Sequence, residues 1–343
     1  MTTTEQAFRE LTKAHMGQVL SCIAGAVEMA GLTGSTLGQM LDYHMQTGGK
    51  RLRAMLPLAV AGALGREPNA LVGFGAACEL IHNATLVHDD LQDGDEVRRG
   101  QPTVWKKFGQ AQAINLGDAM LYLAPICLES VKASPGVRQR VQARVFRDVL
   151  KVIDGQEREF ALQQRSTEHI DQEAYRLMVR GKTSGLFALP MAGAAELCEA
   201  PAEVVEALEE AAGHLGVLFQ IQDDILDLYG EKGRAQEGSD LREGKISALV
   251  VAFWQRANDA DRRRLMQLLR ADRHASSDED VRWAIEAFRE QGALSACLAE
   301  IDQLRGQALA SPAFSAYPDL RRLLEGMAQI FLAPIGDIME SVG

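Results

Sequence analysis

The sequence predicts an all-α protein, a single domain of long, mostly antiparallel helices around a central cavity. Alanine, leucine, glutamate, glutamine and arginine are abundant, whereas aromatic residues make up only 6% of the 343 residues. This composition favours helices. Runs of β-branched residues with period-two alternation, which would indicate strands, do not occur in the sequence. Because no linker rich in proline, serine or glycine divides the chain, we expect one domain over residues 1–343.

The helices are predicted in order from apolar periodicity and from the breaks between them. The first covers residues 5–30, and GLTGSTLG leads into a second helix that ends near His44, before two glycines. The third and fourth cover residues 53–64 and 70–92, and GDEVRRGQPT forms a loop after them. The remaining helices are expected at residues 109–130, 136–163, 171–180, 184–195, 202–229, 243–270, 278–292, 294–310 and 317–341.

Composition and charge exclude several functional classes. The net charge of −11 argues against nucleic acid as the main partner. No uninterrupted apolar stretch reaches the ~18 residues expected of a membrane span, and the polar start MTTTEQAFRELTK does not resemble a signal sequence. The five cysteines are scattered and never form CxxC, a pattern typical of buried thiols in a reducing compartment. We therefore expect a cytoplasmic protein without a membrane span.

Two clusters of the form DDxxD are the most informative motifs. They are Asp89, Asp90 and Asp93, and Asp223, Asp224 and Asp227. On a helix, positions i and i+4 project along one side and position i+1 lies a quarter-turn away, so each cluster forms a compact carboxylate patch. The sequence around each cluster is apolar, and residues 79–97 and 217–231 contain no Lys or Arg. Ligands that are all oxygen suit Mg²⁺. The alternative is a pair of solvated acidic faces, although such faces usually mix charges of both signs.

Two basic segments complement these clusters. GGKRLRAML places Lys50, Arg51 and Arg53 at the start of a helix, where free N–H groups and the helix dipole favour phosphate. Arg98 and Arg99 follow the first aspartate cluster in a loop, and arginine binds phosphate by paired hydrogen bonds. A basic surface turn is the alternative for the first segment alone. Acidic and basic groups this close in sequence indicate a metal-bridged diphosphate site.

Taken together, these motifs resemble those of the trans-isoprenyl diphosphate synthases, or polyprenyl synthetases. In that family GGKRxR, DDxxD with RRG behind it, GD, GQ, KT, FQxxDD and DxxEGK occur in this order. The chain has GGKRLR, DDLQD, RRGQPT, Gly117-Asp118, Gly155-Gln156, Lys182-Thr183, FQIQDDILD and DLREGK, between about residues 45 and 250. The resemblance implies an isoprenoid synthase fold, a homodimer, and a head-to-tail prenyltransferase that condenses isopentenyl diphosphate with an allylic diphosphate.

The resemblance also implies roles for individual residues around three Mg²⁺ ions. The expected direct metal ligands are Asp89, Asp93 and Asp223, with Asp90, Asp224 and Asp227 supporting them. The expected contacts of the allylic diphosphate are Arg98, Lys182 and Lys245. Those of isopentenyl diphosphate are Lys50, Arg53, His82 and Arg99. The dipoles of Thr183 and Gln220 are expected to face the allylic cation during catalysis.

Product length should follow from the side chains below the first aspartate cluster. Ala84 and Thr85 stand five and four residues before Asp89, where short-chain members of the family carry a large aromatic residue. Two small residues leave this level open to a tail longer than fifteen carbons. The next barrier is expected at Ile81 and at Met120, Leu121 and Tyr122. We therefore expect geranylgeranyl diphosphate as the main product, with a longer chain or farnesyl diphosphate as alternatives.

The chain departs from the family pattern at two positions. Gln236 and Glu237 precede Gly238, where many members carry Lys or Arg, so Lys232 or Arg234 would have to replace that contact. The GQxxD motif reads GQERE, with Glu159 in place of Asp. Three alternatives are a terpene cyclase or head-to-head synthase of the same fold, a non-catalytic subunit and a diphosphate hydrolase. The two intact aspartate clusters and GGKRLR argue against the first two, and no hydrolase signature supports the third.

Overall fold

A computed structural model of the chain describes residues 3–164, 170–230, 238–271 and 277–342. These residues form seventeen α-helices joined by short turns, so the predicted all-α class is confirmed. The first nine helices are α1 Thr3–Met29, α2 Thr36–Met45, α3 Leu52–Ala63, α4 Val72–Gln92, α5 Val104–Phe108, α6 Gln110–Glu129, α7 Pro135–Gln164, α8 Gln172–Val179 and α9 Gly185–Leu197. The others are α10 Ala202–Tyr229, α11 Ser239–Arg242, α12 Ala248–Arg256, α13 Asp259–Arg270, α14 Asp278–Glu290, α15 Ala293–Ala308, α16 Pro318–Leu332 and α17 Gly336–Val342.

The core surrounds α9, which packs against α3, α7 and α10. Every residue of α9 from Phe187 to Ala195 is buried, and a helix that is apolar on all sides is an interior helix. α4 packs against α1, α3 and α6, whereas α10 packs against α15 and α16. The two helices that carry the aspartate clusters are therefore both held by the central packing of the fold.

The segment between the first aspartate cluster and α5 differs from its predicted loop. It forms a short antiparallel hairpin, β1 Val97–Arg98 with β2 Gln101–Pro102, and this is the strand content of the described residues. Arg99 at the tip has a positive φ of 52°, and Gly100 follows with 78°. The hairpin is too short to show a period-two pattern, so hydrophobic alternation could not reveal it.

The predicted helix at residues 243–270 is divided in the structure into α12 and α13. The chain leaves the helical conformation at Ala257 and Asn258, both of which are extended. The Asn258 side chain then caps α13 by accepting hydrogen bonds from the backbone N–H groups of Ala260 and Asp261 at 2.9 and 3.0 Å. Asparagine is a favoured N-cap residue, so Asn258 indicates the start of a new helix, which the prediction of one helix over residues 243–270 did not take into account.

The predicted break between the helices at 171–180 and 184–195 is a single π-turn, Arg180–Ser184, that joins α8 to α9. Two glycines allow α7 to approach this turn. A Cβ atom on Gly155 would collide with the backbone nitrogen of Lys182, and one on Gly181 would lie 2.8 Å from the carbonyl oxygen of Lys151. π-Turns inside helices often occur at functional sites, and this one fixes the position of Lys182.

Within the described residues, two helical stretches are long and apolar enough to cross a membrane by length and composition alone. They are Pro68–Gln92 and Gln110–Glu129. In the first, 72% of the most apolar window is buried inside the protein, as in the core helix of a globular fold. In the second, the buried share is 44%, and Ile114 and Tyr122 lie on its exposed face.

We expect Gly75→Ala to destabilise the protein, because α3 and α4 touch at this glycine. A Cβ atom there would lie 2.5 Å from the Ala54 carbonyl oxygen and 3.0 Å from a methyl group of Leu58. Separating the helices should lower the free energy of unfolding by about 1–3 kcal/mol in urea titrations. The control is Gly213→Ala in α10, where nothing lies within 4 Å of the added atom. That change should raise stability by up to about 1 kcal/mol, and equal effects of the two substitutions would contradict the packing argument.

Candidate active site

The two aspartate clusters face one cavity of about 1600 Å³. α4 contributes Asp89 and Asp93 to its wall, and α10 contributes Asp223 and Asp224. The α4 cluster stands at the C-terminal end of its helix, where Asp93 forms the cap. The structure thus brings together carboxylates that are far apart in the sequence, as the matched motifs led us to expect.

Burial raises the pKa of two carboxyl groups in this cavity. Removal from bulk water raises the pKa of Asp89 to about 6. The pKa of Asp224 rises to about 7, first because the group is buried and second because the charge of Asp240 is near. Burial disfavours the charged form of an acid, and a neighbouring negative charge disfavours it further. The carboxyl groups of Asp89 and Asp224 therefore lose their protons less readily than exposed ones.

The compensating cations come from distant parts of the chain. Lys245 Nζ lies 3.0 Å from Asp93 Oδ2 and 2.9 Å from Glu243 Oε2. Lys182 forms an ion pair with Glu159 and also lines the cavity. Burial disfavours the lysine charges, but the surrounding carboxylates outweigh it and raise the pKa of both amines. Residues 79–97 and 217–231 contain no Lys or Arg, yet packing brings Lys182 and Lys245 to the carboxylates of the site.

Asp90 and Asp227, expected to support the metal ligands, do not line the cavity themselves but bind residues that do, Arg98, Ser239 and Asp240. Arg98 Nε donates to Asp90 Oδ1 at 2.6 Å, so Asp90 anchors the hairpin to α4. Asp227 accepts a hydrogen bond from the Ser239 hydroxyl at 2.8 Å and one from the Asp240 N–H at 3.1 Å. Asp90 follows Asp89 by one residue and is turned away by 100°. Asp227 lies one turn beyond Asp223, opposite α11.

A chain of hydrogen bonds crosses the wall of the cavity next to the second cluster. The Thr183 hydroxyl donates to Gln220 Oε1 at 2.8 Å, and Gln220 Nε2 donates to Asp224 Oδ1 at 2.9 Å. Asp224 Oδ2 accepts from the Tyr175 hydroxyl at 2.8 Å and from the Ala248 N–H at 2.7 Å. Asp224 is thus held by three donors, and the oxygens of Thr183 and Gln220 lie side by side at the cavity.

A second group of basic side chains, Arg53, His82 and Arg99, also lines the cavity, as does Arg98 beside Asp90. The Arg53 guanidinium stacks on Phe187, 4.6 Å from the ring centre, and lies 5.8 Å from that of Phe219. Burial and the charge of Arg53 hold the pKa of His82 well below its usual value, so the imidazole is neutral at pH 7. Lys50 is exposed and lies outside the cavity wall.

The apolar end of the cavity contains only part of the predicted floor. Ile81, Ala84 and Thr85 line it from α4, and Leu121 lines it from α6. Met120 is fully buried in the core and Tyr122 is 79% exposed, so neither forms the floor within its own chain. Consecutive helical residues point about 100° apart, and all three could not face one cavity. Val149 and Ile153 of α7, which the sequence did not indicate, complete this wall.

Several cavity residues were not predicted from the sequence. Asp240 and Glu243 line the cavity beside Lys245, although only the lysine of their DLREGK motif was assigned a role. Tyr175 was missed because a lone tyrosine on a short helix carries no motif. Glu159, noted only as a departure from GQxxD, also lines the cavity. Gln236, Glu237, Lys232 and Arg234 lie outside the described residues.

The residues at the cavity fit Mg²⁺ when oxygen ligands are added from outside the protein. In the described part of the chain, no three His, Cys, Asp or Glu side chains converge into a complete metal-binding group. The donors that line the cavity, Asp89, Asp93 and Asp223, are all carboxylates. Mg²⁺ is usually bound by one or two carboxylates together with substrate phosphates and water. The raised pKa of Asp89 marks charge that a cation would compensate.

Known proteins share both the sequence and the fold. The family model of polyprenyl synthetase matches residues 35–288. A short chain isoprenyl diphosphate synthase of Methanothermobacter thermautotrophicus is 34% identical over 76% of this chain and 79% of its own. A geranylgeranyl diphosphate synthase of Saccharolobus solfataricus is 33% identical over 73% and 75%. A (2E,6E)-farnesyl diphosphate synthase of Mycobacterium tuberculosis is 33% identical over 71% and 67%.

A solved structure gives the same result at the level of the fold. The geranylgeranyl pyrophosphate synthetase from Pyrococcus horikoshii superposes with a TM-score of 0.82 at 27% identity, over 95% of this chain and 99% of that one. The family match covers both aspartate clusters and the basic segments around them. The chain therefore belongs to the polyprenyl synthetase family.

Proposed function

We propose that the protein is a head-to-tail prenyltransferase that condenses isopentenyl diphosphate with an allylic diphosphate such as dimethylallyl, geranyl or farnesyl diphosphate. The observation that carries the proposal is the cavity itself. Two carboxylate clusters face each other across it, separate basic groups lie on its walls, and its far end is apolar. A site of this kind can bind two diphosphates and one hydrocarbon tail at the same time.

In the proposed reaction, the allylic diphosphate binds between the two aspartate clusters. Lys182 and Lys245 would bind its oxygens, together with Arg98, after exchanging their present carboxylate partners for phosphate. Three Mg²⁺ ions held by Asp89, Asp93 and Asp223 would stabilise the charge that builds on the departing diphosphate. The carbon–oxygen bond then breaks, and the adjacent side-chain oxygens of Thr183 and Gln220 stabilise the allylic cation.

In the proposed reaction, isopentenyl diphosphate binds at the second basic group. Arg53, His82 and Arg99 line this part of the cavity, and Lys50 would bind from the rim. The isopentenyl double bond attacks the cationic carbon and forms the new carbon–carbon bond. Loss of one proton, taken up by the released diphosphate, restores a double bond. The product is an allylic diphosphate that is five carbons longer and can react again.

The proposal is tested by incubating the protein with Mg²⁺ and an allylic diphosphate, with and without isopentenyl diphosphate. Chain-extended product should form only when both substrates are present. Asp89→Ala and Asp223→Ala should each reduce turnover at least ~100-fold, because transition-state stabilisation of a few kcal/mol is lost, while circular dichroism stays unchanged. Asp302→Ala, which alters an exposed aspartate on α15, is the control. Product without isopentenyl diphosphate would indicate a cyclase instead.

We propose geranylgeranyl diphosphate as the main product. The relatives include synthases of both fifteen- and twenty-carbon products, so the argument depends on the cavity. Ala84 and Thr85 leave space one turn below Asp89. Ile81 of α4 and Leu121 of α6 have larger side chains and would narrow the cavity beyond Ala84 and Thr85. A tail of four isoprene units would fill the space above them.

Ala84→Phe should therefore shorten the product to farnesyl diphosphate without stopping turnover, because an aromatic ring would fill the space one turn below Asp89. Products are identified by mass spectrometry after hydrolysis of the diphosphate. Ala84→Ser keeps a small side chain at the same position and should leave the product distribution unchanged. A wild-type protein that already stops at fifteen carbons would contradict the proposed length.

We propose that the protein acts in the cytoplasm as a homodimer whose interface is an apolar strip on α6 and α7. The α6–α7 strip consists of Ile114, Tyr122, Phe146, Leu150 and Ile153, each at least 48% exposed. Exposed apolar patches of this kind mark interaction sites. Ile153 also lines the cavity, so the strip is continuous with the apolar end of the active site. A second copy would cover both the strip and this edge of the cavity.

Leu150→Glu should convert the dimer to a monomer, because it places a charge at a position that is 64% exposed in the single chain and buried in the proposed interface. Light scattering coupled to gel filtration measures the mass. Met29→Glu is the matched control, since Met29 is 72% exposed on α1 and lies outside the strip. A monomeric wild type, or a dimer that persists in Leu150→Glu, would overturn the proposed interface.

A further inference from the structure

The loop before α3, residues 48–51 and called the basic loop below, contains an arginine that does not face the cavity. Arg53 lines the cavity, whereas Arg51, two residues earlier, does not. Arg51 has a φ of 52°, and Gly48 and Gly49 before it have φ values of 87° and 123°. Glycine adopts such angles freely, but arginine does so only when surrounding contacts hold it there. The contacts of Arg51 therefore determine the shape of this loop.

The Arg51 guanidinium makes two directed hydrogen bonds inside the protein. Nη1 donates to Glu79 Oε1 at 2.7 Å, and Nη2 donates to the Met45 carbonyl oxygen at the end of α2. Glu79 is buried in α4, with 2% of its side chain exposed. The planar fork of arginine can reach both acceptors together, which the single ammonium of lysine cannot reproduce. Arg51 thus ties α2, the basic loop and α4 to one another.

Further hydrogen bonds fix the glutamate that receives this arginine. Asn83 Nδ2 donates to Glu79 Oε1 at 3.0 Å and to the Glu79 carbonyl oxygen at 2.7 Å. His44 Nε2 lies 3.1 Å from Asn83 Oδ1 and donates to it. His82 lies between Glu79 and Asn83 on the same turn of α4. Residues of this network therefore stand before and after His82, a residue of the cavity wall, in the sequence.

The same loop also contacts the cationic side chains of the cavity wall and so fixes their positions. Arg99 donates from Nη1 to the Gly48 carbonyl oxygen of the loop. A Cβ atom on Gly49 would lie 2.5 Å from the same guanidinium, so Arg99 and the loop fit closely. Burial lowers the pKa of Arg53 to about 10, and the charge of Glu79 acts against this shift. A displacement of the loop would move Arg53 and Arg99 together.

We propose that Arg51 and Glu79 are positioning residues for the binding of isopentenyl diphosphate. Neither touches the substrate. Their ion pair holds the strained loop so that Arg53, His82 and Arg99 converge on one diphosphate. The proposal builds on the proposed function and separates Arg51 from Lys50 and Arg53, the other cations of the GGKRLR segment. Lys182 and Lys245 of the proposed allylic site are paired with Glu159 and Asp93 and not with this ion pair.

The test measures both substrates separately with the full-length protein. Arg51→Met and Glu79→Gln should each raise KM for isopentenyl diphosphate about tenfold or more, while KM for the allylic diphosphate and kcat change by less than about threefold. Because the two side chains act through one shared ion pair, the double variant Arg51→Met/Glu79→Gln should raise KM for isopentenyl diphosphate no further than the larger of the two single effects. Arg51→Lys, which keeps the charge without the fork, should give an intermediate KM.

A matched control separates positioning from general stability. Glu196→Gln removes another carboxylate that is paired with an arginine, Arg144, at 2.7 Å, in a network away from the cavity. It should lower the melting temperature and leave both KM values unchanged. Equal changes in both KM values for Arg51→Lys, or a lower melting temperature without a change in KM for isopentenyl diphosphate, would overturn the proposal.

Calorimetric titration with isopentenyl diphosphate alone gives a reading that does not require turnover. Weaker binding in Glu79→Gln and Arg51→Lys, with normal binding in Glu196→Gln, supports the positioning role. Unchanged binding in both loop variants contradicts it. A wild-type protein that binds isopentenyl diphosphate but forms no extended product would refute the proposed function. The titrations of the variants would still decide whether Arg51 and Glu79 position the binding site.

Discussion

The concentration of carboxylates in a partly apolar cavity is the constraint on which the rest of the site depends. Like charges that are removed from water repel strongly, and each must be compensated or protonated. The fold meets this constraint with cations from remote segments, such as Lys245 beside Asp93. Asp224 is compensated differently, by three hydrogen-bond donors. The site is therefore assembled by helix packing, since no single segment is electrostatically complete.

Close contact between backbones provides the geometry that this compensation needs. The π-turn between α8 and α9 holds Lys182 and Thr183 against α7, and glycine at position 155 makes that contact possible. Next to the second basic group, Arg51 in the left-handed conformation holds the basic loop against α4 through Glu79. Both are local distortions stabilised by the surrounding packing, and both occur where cationic side chains must face the cavity. Such strain often accompanies function.

The same cavity changes character along its length. Carboxylates and basic groups surround its polar end, while Ile81, Ala84 and Leu121 line the apolar end. That end reaches the surface of α7 at Ile153, within the exposed α6–α7 strip. Assembly and product length are thus linked physically in the proposed dimer, because the side chains that would cover the strip would also close the cavity.

The sequence by itself determined the helical class, the order of the motifs and which helices carry the carboxylates. These properties depend on composition and on spacing along one helix, and both are local. It could not determine how far each helix is rotated about its axis, because that depends on packing against neighbours. For this reason the sequence does not separate Leu121, which lines the cavity, from its neighbours Met120 and Tyr122, which do not, nor Asp89 and Asp223 from Asp90 and Asp227. Likewise, only the tertiary structure decided that Lys245 reaches Asp93, since no local pattern records a contact between segments so far apart.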